Sequence, residues 1–328
     1  MSVRTFFRLF TSLQMMPVLE SGEETLVGGQ AVVEGVMMRA PHSYCVAVRQ
    51  PDGKIVTEEL PLERMSEKYK IFKYPLFRGV GTLFQAMKLG GRALKFSAEA
   101  SLVDEKVIPS DKKKEEIPGW AFLGPLIFSL AFYILAYKFV PLYLATRLGK
   151  IYPALAGQFA SSTVGGIVRM GILLGILFGV SKLKDMRRIF EYHGAEHKVV
   201  FNFESGQPVT VENAQRYTTF HPRCGTSFLF VLFLLTIPVY ALIPFSGFLA
   251  KLLCQIALIP VLVGLSYELI RFAAKRRGSM LAVLTAPGLW MQRITTKPPA
   301  DDQASVAIHA LEGAMALEKS QGGQLVIA

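Results

Sequence analysis

The sequence implies a mainly α-helical, polytopic membrane protein with about four transmembrane helices and a small cytoplasmic β-containing N-terminal unit. Three observations carry this. First, the 328 residues have a positive mean hydropathy, +0.36, together with a formal net charge of +11. A soluble globular chain rarely combines the two, whereas a membrane protein with Lys and Arg at its cytoplasmic ends does so as a rule. Second, four stretches stay apolar over the roughly 20 residues needed to cross about 30 Å of hydrocarbon. Third, a segment ahead of them alternates apolar and polar residues about a turn.

Residues 1–24 open with "MSVRTFFRLFTSLQMMPV", which mixes Arg with Phe and lacks an apolar core ending in small residues. They read as an amphipathic or disordered lead, not as a secretory signal. Residues 25–66 are the β-rich unit, because "VAVRQPDGKIVTEELPL" alternates and turns at Pro51-Asp52-Gly53. Residues 67–102 hold a basic amphipathic or interfacial helix. Phe77, Val80, Phe84, Met87, Gly91 and Leu94 recur at helical spacing, with Arg78, Gln85, Lys88, Arg92 and Lys95 opposite. That pattern fits an anionic leaflet or packing on the spans. Residues 103–118, charged and bounded by Pro, form a linker.

Residues 119–272 are the four-span membrane domain. The first span runs from about Trp120 to Ala145, interrupted by Lys138. The second runs from about Thr163 to Ser181, with Arg169 near its outer end, from which it can snorkel. The third, about Ser227 to Phe245, carries no charge. The fourth, about Leu252 to Ile270, has Glu268 near its end and Arg271 three residues on as its ion-pair partner. "DKKKEE" precedes the first span, "KLKDMRR" follows the second and "RFAAKRR" follows the fourth. Positive-inside counting then places both termini and the loop 182–226 in the cytoplasm, with the chain in the inner cell membrane. Residues 273–328 are a cytoplasmic tail with a helix beginning near Asp301, where Asp301 and Asp302 favour the N-terminal end. Topology thus accounts for the basic excess. No nucleic-acid module, P-loop, dinucleotide fingerprint or internal repeat occurs, so nucleic acid is not an expected partner. Three cysteines, Cys45, Cys224 and Cys254, are too few and too scattered for a disulfide framework.

Loop 182–226 holds three of the five histidines. In "YHGAEHK", His193 and His197 stand one helical turn apart on one face, which suits two imidazoles on a single ion; Gly194 between them weakens that helix. About two dozen positions later "FHPRCGTSF" adds His221 and Cys224. The pattern H-x3-H…H-x2-C offers four ligands, and zinc suits a set of imidazole and thiolate donors. Arg223 faces headgroups or favours the thiolate. Glu196 completes the order H-x-x-E-H, in which a carboxylate acts as base beside a metal; it also fits a partner that holds a histidine in one tautomer, or a solvated residue. Four bound ligands close the shell and make the ion structural, whereas three leave a position open for chemistry. His42, Cys45 and His309 read as structural or surface residues.

Three blocks, "GGQAVVEGVMMRAP", "YHGAEHKVVFNFESG" with "HPRCGTSFL", and "PGLWMQRITTKPPADDQASVAI", resemble the YqhQ-like family of bacterial multi-pass membrane proteins. That resemblance implies a metal-dependent enzyme in a family of unknown function. It points to His193, Glu196, His197, His221 and Cys224 as the central cluster and draws in Glu34, as a metal or acid/base carboxylate or as the partner of Arg39. The resulting expectation is a hydrolytic, zinc-dependent enzyme at the cytoplasmic membrane surface. Glu196 would be its base, membrane lipids its surroundings, and a lipid-linked molecule or membrane-proximal peptide its substrate. A non-catalytic scaffold or assembly factor with a structural zinc clamp is the alternative. A transporter, suggested by Arg169 and Glu268, is a third.

Overall fold

A computed structural model describes residues 27–63, 65–102, 123–221, 224–275 and 280–320. The lead 1–24, the linker 103–118 and Arg223 lie outside these residues. The chain is mainly helical with a small antiparallel sheet at the N-terminal end.

The sheet is a four-stranded meander, β1 (Gly28–Val32), β2 (Gly35–Arg39), β3 (Ser43–Arg49) and β4 (Ile55–Pro61), in sequence order. Ser43 pairs with Pro61 and Arg49 with Ile55 across the expected turn, where Gly53 takes φ +89°. Only a residue without Cβ adopts that conformation readily. Alternation sends successive side chains to opposite faces. Tyr44, Val46 and Val48 join Met37 on one face; Cys45 and Ala47 join Val36 and Met38 on the other.

Both faces are covered. Against the first lies α1 (Phe77–Leu102), through Leu89, Ala93 and Ala100. Against the second lie α5 (Lys184–Glu204) and α10 (Asp301–Ser320), contributing Ala195, Val199, Val306 and Ala310 among others. The helix begins at Asp301 as the acidic pair suggests, but its small-residue face is sheet core rather than tail. Cys45 is buried there, and burial pushes its thiol up to about 12, as expected of an inert structural cysteine.

The apolar stretches form a separate layer of helices. α2 (Leu123–Ile134) continues through a π turn, Leu135–Phe139, into α3 (Val140–Ile151), and α4 spans Gln158–Val180. Residues Ile127–Ile151 and Gln158–Val180 are long and apolar enough to cross a membrane. Phe128, Ile127 and Ile167 remain well over half exposed on them, as lipid-facing side chains do.

The remaining two stretches depart from four uniform spans. α6 (Gly225–Ala241) has 17 residues, about 25 Å, short of a full crossing. It stops ahead of Pro244, whose ring disfavours helical backbone at the residue before it. α7 (Phe248–Ala257) and α8 (Ile259–Lys275) are bent by 48° at Leu258. Pro260 stands at the break and supplies no amide N–H to continue the ladder. Among the described residues, two helices are long and apolar enough to span, or three if the bent pair is one span.

Glycines allow the closest crossings. A Cβ on Gly166 of α4 would meet Ile237 at 2.5 Å, and one on Gly288 of α9 (Met280–Thr295) would meet Ser227 Cα at 2.7 Å. Arg169 lies mid-helix in α4 and does not snorkel. It is buried, donating to the Tyr137 carbonyl (3.1 Å), Thr236 Oγ1 (3.3 Å) and Gln255 Oε1 (3.2 Å), over the Tyr240 ring. Glu268 pairs with Arg78 of α1, a partner 190 positions away.

Candidate metal centre

Residues 193–197 occupy the middle of α5, so His193, Glu196 and His197 share one helical face. Cys224 is the N-cap of α6, where first-turn N–H groups carry partial positive charge. Its sulfur lies 3.2 Å from His193 Nε2. The ligand atoms of His193, His197 and Cys224 all fall within 4.8 Å of one another. Tetrahedral zinc bonds of about 2.0–2.3 Å place ligands roughly 3.3–3.8 Å apart, so a small contraction would suffice.

Backbone carbonyls orient the two imidazoles. His193 Nδ1 is 2.8 Å from the Thr295 carbonyl oxygen and His197 Nδ1 is 2.5 Å from that of Thr219. A carbonyl can only accept, so Nδ1 donates in both rings, and in a neutral ring that leaves the lone pair on Nε2. That is how metal-binding histidines are usually held. Glu196, buried on the same face, places Oε2 at 3.6 Å from His197 Nε2 and 3.9 Å from His193 Nε2. The donor set therefore fits a zinc ion, with three ligands and an adjacent carboxylate.

The sheet and the chain after α9 complete the walls. A Cβ on Gly29 would lie 2.7 Å from Glu196 Cγ, so β1 runs directly over that carboxylate. Gly194 does not serve to loosen the helix. A Cβ there would lie 2.0 Å from the Lys297 carbonyl oxygen, and Lys297 N–H donates to the Phe190 carbonyl at 2.9 Å. The missing side chain lets residues 295–297 lie against α5, which brings Thr295 to His193. On the other side, Lys198 Nζ donates to the carbonyls of Gln215 and Tyr217, both at 2.7 Å, fixing the segment that carries Thr219. Burial lowers the affinity of that amine for its proton.

Two expected residues sit elsewhere. His221 is adjacent but is not one of the three clustered side chains. Its ring is 5.5 Å from that of His197, packs on Phe201, and turns Nε2 to within 3.7 Å of Glu204 Oε2. Gln292 of α9 pins the backbone of His221, accepting from its N–H (2.8 Å) and donating to its carbonyl (2.7 Å). Glu34 occupies the β1–β2 turn at φ +51°, rare for a residue with a side chain. Its carboxylate takes both Nε and Nη2 of Arg188 and the Tyr192 hydroxyl (3.3 Å), and so ties the sheet to α5. The partner is Arg188, not Arg39. That carboxylate keeps the Arg188 guanidinium firmly protonated, while burial raises the Tyr192 phenol.

The sequence profile of a family described as "Protein of unknown function (DUF1385)" matches residues 74–317. The chain belongs to this family. A relative from Bacillus subtilis (strain 168), "Uncharacterized protein YqhQ", is 34% identical over 297 residues, covering 89% of this chain and 92% of its own length. No solved structure matches the chain. The matched DUF1385 segment contains His193, His197, Cys224, Glu196 and the carbonyls of Thr219 and Thr295, and it leaves Glu34 outside. Thr219 and Thr295 act through their backbone carbonyls, which carry no residue-type signature, and Gln292 acts through its side-chain amide on a residue 71 positions away. Gly194 does carry a signal, because a glycine between functional helix residues commonly marks a close backbone approach.

Proposed function

We propose that this DUF1385 chain is a metal-dependent membrane enzyme, hydrolytic in type, working at the cytoplasmic membrane surface. The observation that carries the reading is the pair of imidazoles locked through Nδ1, with both Nε2 atoms turned towards one sulfur and one buried carboxylate. His193, His197 and Cys224 would hold zinc. When bound, zinc would supply a polarised, acidified water and a Lewis acid for the scissile group. Glu196 then accepts a proton at Oε2 and returns it to the leaving group. The Thr295 and Thr219 carbonyls keep both rings in one tautomer throughout. With three protein ligands, a bound zinc would keep one position open for chemistry.

In the membrane reading, α2–α3, α4, the short α6 and the bent α7–α8 pair make four crossings with both termini cytoplasmic. Local thinning or tilt absorbs the shortfall at α6. Such a site faces amphiphiles, so the substrate is a lipid-linked molecule or a membrane-proximal peptide.

A structural zinc clamp in a non-catalytic scaffold is the second reading. It is favoured by the way the cluster joins α5 to the N-cap of α6 beside the chain after α9. Cobalt(II)-substituted protein titrated with acetohydroxamate separates the two. The enzyme reading expects the visible cobalt bands to shift as the ligand enters the open position, and expects Glu196→Gln to keep the cobalt spectrum. Bands unmoved by saturating acetohydroxamate would mean a closed shell and overturn it.

A further inference from the structure

A cavity of about 350 Å³ lies between the end of β2, the segment before α1, α1 itself and the C-terminal part of α8. That is large enough for a small-molecule group. Among the described residues that line it are four cations, Arg39, Lys73, Arg78 and Arg271, and none of those described residues is acidic. Glu268 stands behind Arg78 and takes its guanidinium.

The surroundings are apolar and built to stay in place. Tyr69, Ile71, Tyr74 and Phe77 are each half exposed or more, with Lys70 and Lys73 between them. Aromatic rings interleaved with lysines belong at the headgroup level of a bilayer. Phe84, Met87 and Leu94 extend this uncovered apolar face along α1, while Leu89 and Ala93 face the sheet. The joint with the membrane layer is tight. A Cβ on Gly264 would meet the Leu76 carbonyl oxygen at 2.5 Å, and one on Gly79 would meet Tyr267 Cβ at 2.6 Å. Leu76 itself is held at φ +68°. Such a backbone persists only where its neighbours over-determine it.

We propose that this cavity binds the phosphate of an anionic amphiphile whose chains lie along the exposed apolar face of α1. Lys73 and Arg271 supply charge-assisted bonds to phosphate oxygens. Tyr267 and Arg271, near the end of a helix of the membrane layer, set the depth at the headgroups. The inference rests on the membrane part of the proposed function and not on the metal centre.

The test uses the purified full chain in phosphatidylcholine nanodiscs, with phosphatidylglycerol as probe and soluble glycerol 3-phosphate as the second arm. Phosphatidylglycerol is expected to bind and raise the thermal midpoint. Lys73→Gln with Arg271→Gln should weaken that binding about thirtyfold, since each cation near an anionic surface contributes about fivefold. Lys73→Glu, an exposed change, should weaken it as well, in case the double variant does not fold. Binding unaltered in both variants would overturn the site. Glycerol 3-phosphate binding as tightly as the lipid would overturn the amphiphile as carrier. Resistance to carbonate extraction from membranes reports the spans independently, so a chain that stays in the membrane yet ignores phosphatidylglycerol fails this inference alone.

Discussion

A methyl group on Gly194 would sit 2.0 Å from the Lys297 carbonyl oxygen, so Gly194→Ala forces residues 295–297 away from α5. Overpacking of this kind costs about 1–3 kcal/mol or more. Because Thr295 moves with that segment, His193 also loses the acceptor that fixes its tautomer. Gly194→Ala is expected to lower the thermal midpoint and the metal content together. A variant that unfolds earlier yet keeps full metal would separate the glycine from the site. Spacing alone pairs His193 with His197 and puts Glu196 between them, and the folded chain keeps that arrangement. What spacing could not convey is which histidine of the second pair turns aside. The backbone of His221 is held by Gln292, 71 positions away, and its ring packs on Phe201.

Among the elements, α10 shows how composition misleads about place. An alanine-rich helix near the end of a chain reads as a tail, yet small side chains are what allow a helix to lie flat on a sheet. A Cβ on Gly313 would meet Cys45 Sγ at 2.7 Å. The end of this helix is tied by Glu318, which accepts from His42 N–H (2.8 Å) and Ser43 Oγ (2.9 Å) and meets His42 Nδ1 at 2.9 Å. Burial acts to raise its carboxyl, but the bonds from His42 and Ser43 outweigh it and hold the group below the usual carboxylate range. A folded-state value below the unfolded one, near 4.3, contributes stability that is present above that pH and lost as pH falls through the folded value. The thermal midpoint should therefore fall in acid more steeply for the wild type than for Glu318→Gln, which starts lower at neutral pH. Parallel pH profiles would refute this account of Glu318. The β3–β4 hairpin was legible because Pro-Asp-Gly and strict alternation are local signals. The break at Pro260 and the short α6 also have local causes, but a hydropathy window averages over them.

Across the whole molecule, two layers meet. A sheet covered on both faces by α1, α5 and α10 stands against a layer of apolar helices, and the His193–His197–Cys224 cluster lies where α5 meets the N-cap of α6. Apolar runs reveal the helical layer. The ion pair of Glu268 with Arg78, which joins the two layers, is a contact that no local pattern encodes. The most direct measurement is the metal content of the purified full chain by inductively coupled plasma mass spectrometry, with single substitutions at each candidate ligand. A three-ligand centre predicts about one zinc per chain in the wild type and in His221→Ala, and little in His193→Ala, His197→Ala and Cys224→Ser. A wild-type chain without metal, or one in which His197→Ala retains as much as the wild type, would contradict it.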